Sequence, residues 1–266
     1  MTGAEGSSLA FRSSGTGRPI VWIHGFPLSS ELFSFQFSIR DARHIAPDLR
    51  GFGETPAPAG AVSMADHAAD VLSLLDRLGI ESAVMAGVSM GGYVLFEILR
   101  RAPERVEALI LCDTRETADS AEAKKGRLDM IEQVRSEGVG PIVDSMLPKM
   151  LTEETLQAAD ERVRLVKRIM EAASPQGVIA ALEAMAMRPD STDVLRGCGI
   201  PAAILAGDHD LVTPPADAAR MTSLLPNASL HLIQRAAHLA NVERHDEVNR
   251  VISAFLDTIP GTATSD

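Results

Sequence analysis

The sequence contains no run of basic residues, no internal repeat and no low-complexity tract. It also lacks any apolar stretch long enough to span a bilayer. With 36 acidic against 25 basic residues, the formal charge is -11. Such a surface repels phosphate backbones and anionic lipid, so no nucleic acid and no membrane partner is expected. The opening residues MTGAEGSSLAFRSSG have no charged segment followed by an apolar one, so no secretory leader is expected. Only two cysteines occur, Cys112 and Cys198, far apart in sequence. Two free, buried thiols are expected rather than a disulfide, which fits a reducing cytoplasm. A monomer or homodimer is expected.

What is present is a chain of 266 residues, 45% hydrophobic and 23% charged. That suits one α/β domain carrying an insertion. Short apolar runs bounded by Gly, Pro or Asp read as buried strands: PIVWIH (19–24), RHIAPD (43–48), SAVMAG (82–87) and VEALILCD (106–113). Between them, residues 63–79 carry helical spacing and end at Gly79, and residues 90–104 form a second helix stopped before Pro103. This alternation predicts a parallel sheet with right-handed crossovers. From Arg115 to Arg196 the periodicity is helical throughout, with Leu128, Ile131 and Val134 read as one face. IPAAILAG (200–207) and ASLHLIQ (228–234) then resume the strands, and a last helix follows. The expected organisation is core over 1–114, helical cap over 115–196 and core over 197–266. The tail PGTATSD is expected to fray.

Gly87-Val88-Ser89-Met90-Gly91 is G-x-S-x-G between a predicted strand and a predicted helix. A turn that tight strains the serine backbone and aims Oγ out of the sheet. The neighbouring positions must be small, and Gly87, Gly91 and Gly92 are. Ser89 is therefore the expected nucleophile. An oxyanion needs two backbone donors. Met90, directly after the serine, supplies one; Phe26, in HGFP (24–27), supplies the other, because Pro27 has no N–H. His24 is expected to fix that loop rather than act as a base.

HGFP, PDLRGFGET, GVSMGG, APERVEALILCDT, GDHDLVTPP and AAHLANVE occur in one order along the chain. By these segments the sequence resembles the α/β-hydrolase superfamily over essentially its full length. Within it, the chain is similar to small capped carboxylesterases and to the 3-oxoadipate enol-lactonase group. The resemblance implies a mostly parallel eight-stranded sheet flanked by helices, an inserted all-helical cap, and the order serine, acid, histidine. His238, in the loop after the last strand, is then the base. His231 lies on a predicted strand and is expected to be structural; His245 opens the final helix and is expected to face solvent. Asp210 is the expected acid. Asp208 is expected to brace the same loop, Asp113 is the other candidate acid, and His209 is expected to be a partly exposed loop residue. No metal is expected around Asp208, His209 and Asp210, because no further ligand cluster is in reach in sequence.

Related dehalogenases and epoxide hydrolases use an aspartate where this chain has Ser89. The expected cap has no Phe, Tyr, Trp or His, and six of the eleven methionines. Met146, Leu147 and Met150 from the cap, with Gly25, Phe26, Met90, Leu211 and Val212, are expected to line an apolar substrate pocket. Arg115 and Arg188 are the nearest cations for a substrate carboxylate, but are expected to be solvated or salt-bridged. The expected activity is hydrolysis of neutral short- to medium-chain carboxylic esters through an acyl-enzyme, with a small-molecule ester as the partner and no metal or organic cofactor. Enol-lactone or carbon–carbon bond hydrolysis, and slow-turnover ligand reception, are the alternatives.

Overall fold

The computed structural model describes residues 9–260. Seven strands form one sheet: β1 (Phe11–Ser14), β2 (Arg18–Ile23), β3 (Ala42–Pro47), β4 (Ala83–Val88), β5 (Val106–Cys112), β6 (Ala202–Gly207) and β7 (Ala228–Ile233). Their spatial order is β1-β3-β2-β4-β5-β6-β7. Only β1 runs antiparallel, against β3; every other pairing is parallel. The expected count of eight is therefore corrected to seven among the described residues. The expected fraying concerns the tail 260–266, of which all but Pro260 lies outside them.

The central strands are apolar without alternation because both faces are covered. Every residue of β4 and β6 is buried, the signature of a parallel sheet between helical layers. One layer contains α1 (Met64–Arg77) and α2 (Met90–Arg101). Helix α1 starts at a capping box, in which Ser63 accepts from the Asp66 N–H and the Asp66 carboxylate accepts from the Ser63 N–H. It ends as Gly79 turns to a positive φ of 64°. Both cysteines are free and buried. Among the described residues no helix is long and apolar enough to cross a membrane.

Six helices lie between β5 and β6: α3 (Ala121–Glu137), α4 (Gly140–Met150), α5 (Glu153–Ala158), α6 (Glu161–Glu171), α7 (Pro175–Met187) and α8 (Thr192–Arg196). On α3, Ile131 and Val134 are buried, but Leu128 is 57% exposed. It lies about 120° round the helix from Val134, at the margin of the stripe, so the expected three-residue face is really two.

The helical segment sits against loops that leave the carboxyl ends of the strands. The Ser174 hydroxyl donates to the Gly51 carbonyl at 3.0 Å. Backbone meets backbone there: a Cβ added to Gly177 would lie 2.6 Å from the Cα of Gly51. Arg168 pairs with Glu31 at 3.0 Å, and the Leu239 N–H donates to the Met150 carbonyl at 3.1 Å. The two ends of the segment are tied together at its base. Arg188 bonds the Thr117 carbonyl at 2.8 Å and the Asp119 carboxylate at 2.6 Å, and the Ser191 N–H donates to the Glu116 carbonyl at 2.9 Å. The helices α9 (Pro215–Leu224), α10 (Ala240–Glu243) and α11 (His245–Thr258) complete the chain.

Candidate active site

Ser89 joins β4 to α2 with φ 53° and ψ −114°, a conformation costly for any residue with a side chain. The surroundings hold it there. Its N–H donates to the Cys112 carbonyl at 3.0 Å, and its carbonyl accepts from the Gly92 N–H at 2.9 Å and the Thr114 hydroxyl at 2.8 Å. The glycines are required by contact. A Cβ on Gly91 would sit 2.7 Å from the carbonyl carbon of Ile23, and one on Gly87 would sit 2.6 Å from the carbonyl carbon of Gly91. So α2 can start only by pressing bare backbone onto β2. Ser89 is left half-buried.

His238 stands on the loop between β7 and α10. Its Nε2 lies 2.9 Å from Ser89 Oγ, and its Nδ1 lies 2.8 Å from Asp210 Oδ2. A carboxylate can only accept, so Nδ1 carries the proton and Nε2 faces the serine as an acceptor. Asp210 is fixed in turn. Oδ1 accepts from the Val212 and Thr213 N–H groups at 2.7 and 3.0 Å, and Oδ2 accepts from the Thr213 hydroxyl at 2.6 Å. His238 and Asp210 are 1% and 2% exposed, so little solvent screens their attraction. Burial pushes the Asp210 carboxyl up, but the charge and hydrogen bond of His238 and the bonds from Thr213 outweigh it and hold it below the usual carboxylate range.

Met90 follows Ser89 directly, and Phe26 follows Gly25, whose backbone packs against Ser89. Met90 opens α2, where an N–H has no intrahelical acceptor. Among the described residues neither its N–H nor that of Phe26 donates to a protein acceptor. Gly25 brings the Phe26 loop against the serine, since a Cβ there would lie 3.2 Å from the Ser89 Cβ. His24 holds this loop. Its Nδ1–H donates to the Gly25 carbonyl at 2.8 Å, and its Nε2 accepts from the Leu49 N–H at 3.0 Å. Burial pushes its pKa down and keeps the ring neutral.

The other titratable candidates are placed elsewhere. Asp113 is buried and accepts from the Gly207 N–H at 2.9 Å and the Ala240 N–H at 3.2 Å; it makes no bond to His238. Burial, then the nearby Asp210 charge, pushes its carboxyl well up. Asp208 pairs with His209 at 2.6 Å and accepts from the Ala236 N–H at 3.3 Å. The His209 side chain is 62% exposed. His231 lies on β7 against Ser229. His245 does not simply face solvent: it is half-buried and stacks on Phe35, with ring centroids 4.3 Å apart. No group of three or more His, Cys, Asp or Glu among the described residues could hold a metal ion.

Of the residues expected to line a pocket, Phe26 and Met90 are buried. Met150 is buried next to the His238 loop. Met146, Leu147 and Val212 are half-buried. Leu211 is a correction: it is 83% exposed, because the turn that points Asp210 inward, closed by the Val212 N–H, turns the next side chain to solvent. Neither arginine is free. Arg115 pairs with Asp217 at 3.2 Å and bonds the Val212 carbonyl. Arg188 is buried between Asp119 and the Tyr93 ring, whose centroid is 4.0 Å from the guanidinium carbon. Thr213, Thr114 and Glu243, which brace the three central residues, were missed by sequence reasoning.

A family model described as the alpha/beta hydrolase fold matches residues 18–245. The chain belongs to that family. It is similar to 3-oxoadipate enol-lactonase 2 of Acinetobacter baylyi, with 28% identity over 212 residues, or 80% of this chain and 78% of the relative. Among solved structures, a thermophilic esterase from Thermogutta terrifontis superposes with a TM-score of 0.91 at 38% identity, covering 94% of this chain and 93% of the other. The enol-lactonase of Burkholderia xenovorans LB400 superposes with a TM-score of 0.87 at 25% identity, covering 94% and 96%. The chain is thus a hydrolase-fold protein with esterase and lactonase relatives.

Proposed function

We propose that this protein is a serine carboxylesterase acting on neutral esters of short to medium chain length. The observation that carries the reading is the continuous hydrogen-bonded line Ser89–His238–Asp210, together with two N–H groups that have no protein acceptor among the described residues. Ser89 Oγ attacks the ester carbonyl as His238 Nε2 takes its proton. Asp210 holds the imidazole in the required tautomer and stabilises the imidazolium that forms. The Phe26 and Met90 N–H groups receive the oxyanion. The alcohol leaves with the proton from His238, and water then cleaves the acyl-enzyme by the same proton route. The mechanism calls on no metal or organic cofactor. The segment 115–196, which carries α3–α8, acts as the cap, and the reaction is cytoplasmic.

Neutral esters are favoured over carboxylate-bearing lactones because both candidate arginines are already paired. A substrate anion buried without a cation is costly. The esterase relative at 38% identity supports the same choice. The lactonase relatives make enol-lactone hydrolysis the competing reading. The test measures kcat/KM on one preparation for p-nitrophenyl esters of increasing length and for 3-oxoadipate enol-lactone. The expected maximum falls between about C2 and C8, because each methylene gains about 0.8 kcal/mol until the pocket is full. A higher kcat/KM for the lactone overturns the esterase reading.

A further inference from the structure

The loop that carries His238, with the first residue of α10, has four backbone N–H groups bound to four different parts of the molecule. Ala236 donates to the Asp208 carboxylate, Ala237 to the Glu243 carboxylate, Leu239 to the Met150 carbonyl and Ala240 to the Asp113 carboxylate. Asp208 and Asp113 belong to the core. Glu243 does something different. Its Oε2 accepts from the Ala237 N–H at 2.5 Å, and its Oε1 accepts from both the N–H and the hydroxyl of Thr152, at 2.8 and 2.7 Å.

Thr152 caps α5 inside the helical segment, so one buried side chain joins the histidine loop to that segment. Glu243 is 2% exposed. Among the described residues no cation bonds its carboxylate; Arg162 instead donates to its main-chain carbonyl at 2.7 Å. Burying a carboxyl group among N–H and O–H donors is worthwhile only where their geometry is fixed. The Leu239–Met150 bond makes a second tie between the same two segments.

We propose that Glu243 is a positioning residue for the reaction. Together with Thr152 it sets His238 against Ser89, and through it the helical segment takes part in placing the base. The proposal rests on the serine-hydrolase reading of the site. Glu243→Gln keeps the volume but turns an NH2 group toward one of the N–H donors. The loop must then shift, and a misplacement of about 1 Å costs on the order of 100-fold.

The experiment measures the rate at which a fluorophosphonate labels Ser89, together with kcat, KM and melting temperature, for wild type, Glu243→Gln, Thr152→Val and Thr152→Ser. For Glu243→Gln, labelling of the folded enzyme and kcat are expected to fall by about 10- to 100-fold with KM within about twofold. Thr152→Val keeps the backbone donor and loses only the hydroxyl, so a smaller fall of a few-fold is expected. It remains informative should the glutamine variant not fold. Thr152→Ser keeps every bond and is expected to match wild type. If melting temperatures drop while labelling and kcat per folded molecule stay at the wild-type level, Glu243 is structural only and the proposal is overturned. If wild type itself is not labelled at Ser89, the hydrolase reading fails and takes this proposal with it.

Discussion

Asp210→Asn separates the three aspartates that could serve the histidine. The substituted amide retains one oxygen, which continues to accept from the Val212 and Thr213 N–H groups at the Oδ1 position. The new NH2 then occupies the Oδ2 position, 2.8 Å from His238 Nδ1 and 2.6 Å from the Thr213 hydroxyl. An NH2 can only donate there, so Nδ1 must become the acceptor and the ring proton moves to Nε2. Nε2 faces Ser89 Oγ at 2.9 Å, and once protonated it cannot take the serine proton. The expected loss is on the order of 10⁴ in kcat, about 5.5 kcal/mol of transition-state stabilisation. Asp113→Asn disturbs only the Gly207 and Ala240 donors, and Asp208→Asn only an exposed pair and one long bond. Each is expected to cost about tenfold or less, as the loss of one hydrogen bond does. The assay is p-nitrophenyl butyrate hydrolysis, with circular dichroism to verify folding. An Asp210→Asn enzyme that keeps more than about a tenth of its activity refutes the assignment, as does an Asp113→Asn enzyme that is the more impaired of the two.

Two predictions concern stability. His67 is buried on α1, neither ring nitrogen has a partner among the described residues, and burial lowers its pKa from 6.5 to about 4. The unfolded chain therefore binds a proton that the folded one refuses, so stability is complete above pH 6.5 and drains away as pH falls toward 4. His67→Leu should lose about 1 kcal/mol less than wild type between pH 6 and pH 5 in urea titrations; equal slopes would remove His67 as a cause of acid sensitivity. Gly91→Ala forces a methyl against the Ile23 peptide and should cost about 2 to 3 kcal/mol, read from the same titrations. An alanine enzyme of wild-type stability would show that α2 does not need that contact.

Much of this architecture was legible because its signals are local. The G-x-S-x-G turn, the HGFP loop and the loops holding Asp210 and His238 each declare themselves within a few residues. The strands 83–88 and 202–207 are apolar throughout, and 18–23 is apolar after Arg18, as strands covered on both faces must be. What escaped depends on distant partners or on weak patterning. Strand β1, FRSS, is exposed at every position and pairs only along one edge, so it carries no hydrophobic signature. The Thr114 bond to Ser89 spans 25 residues and the Glu243 bond to Thr152 spans 91; no spacing rule relates such pairs. From the sequence alone Arg188 is expected to be solvated or salt-bridged. The ion pair is there, but burial against Tyr93 is a tertiary fact. The sequence places Leu211 among the expected pocket residues, whereas the turn that directs Asp210 inward turns Leu211 out.

The central claim is that Ser89 is the nucleophile, activated by His238. Its most direct test is peptide mapping after reaction with a fluorophosphonate, run beside the esterase assay. One adduct is expected, on Ser89, formed in step with the loss of activity. Ser89→Ala should fold normally, take no label and show only the residual rate that binding and the oxyanion donors supply, several orders of magnitude below wild type. A label on another residue with Ser89 unmodified, or a Ser89→Ala enzyme retaining more than about a tenth of the wild-type rate, would contradict the account.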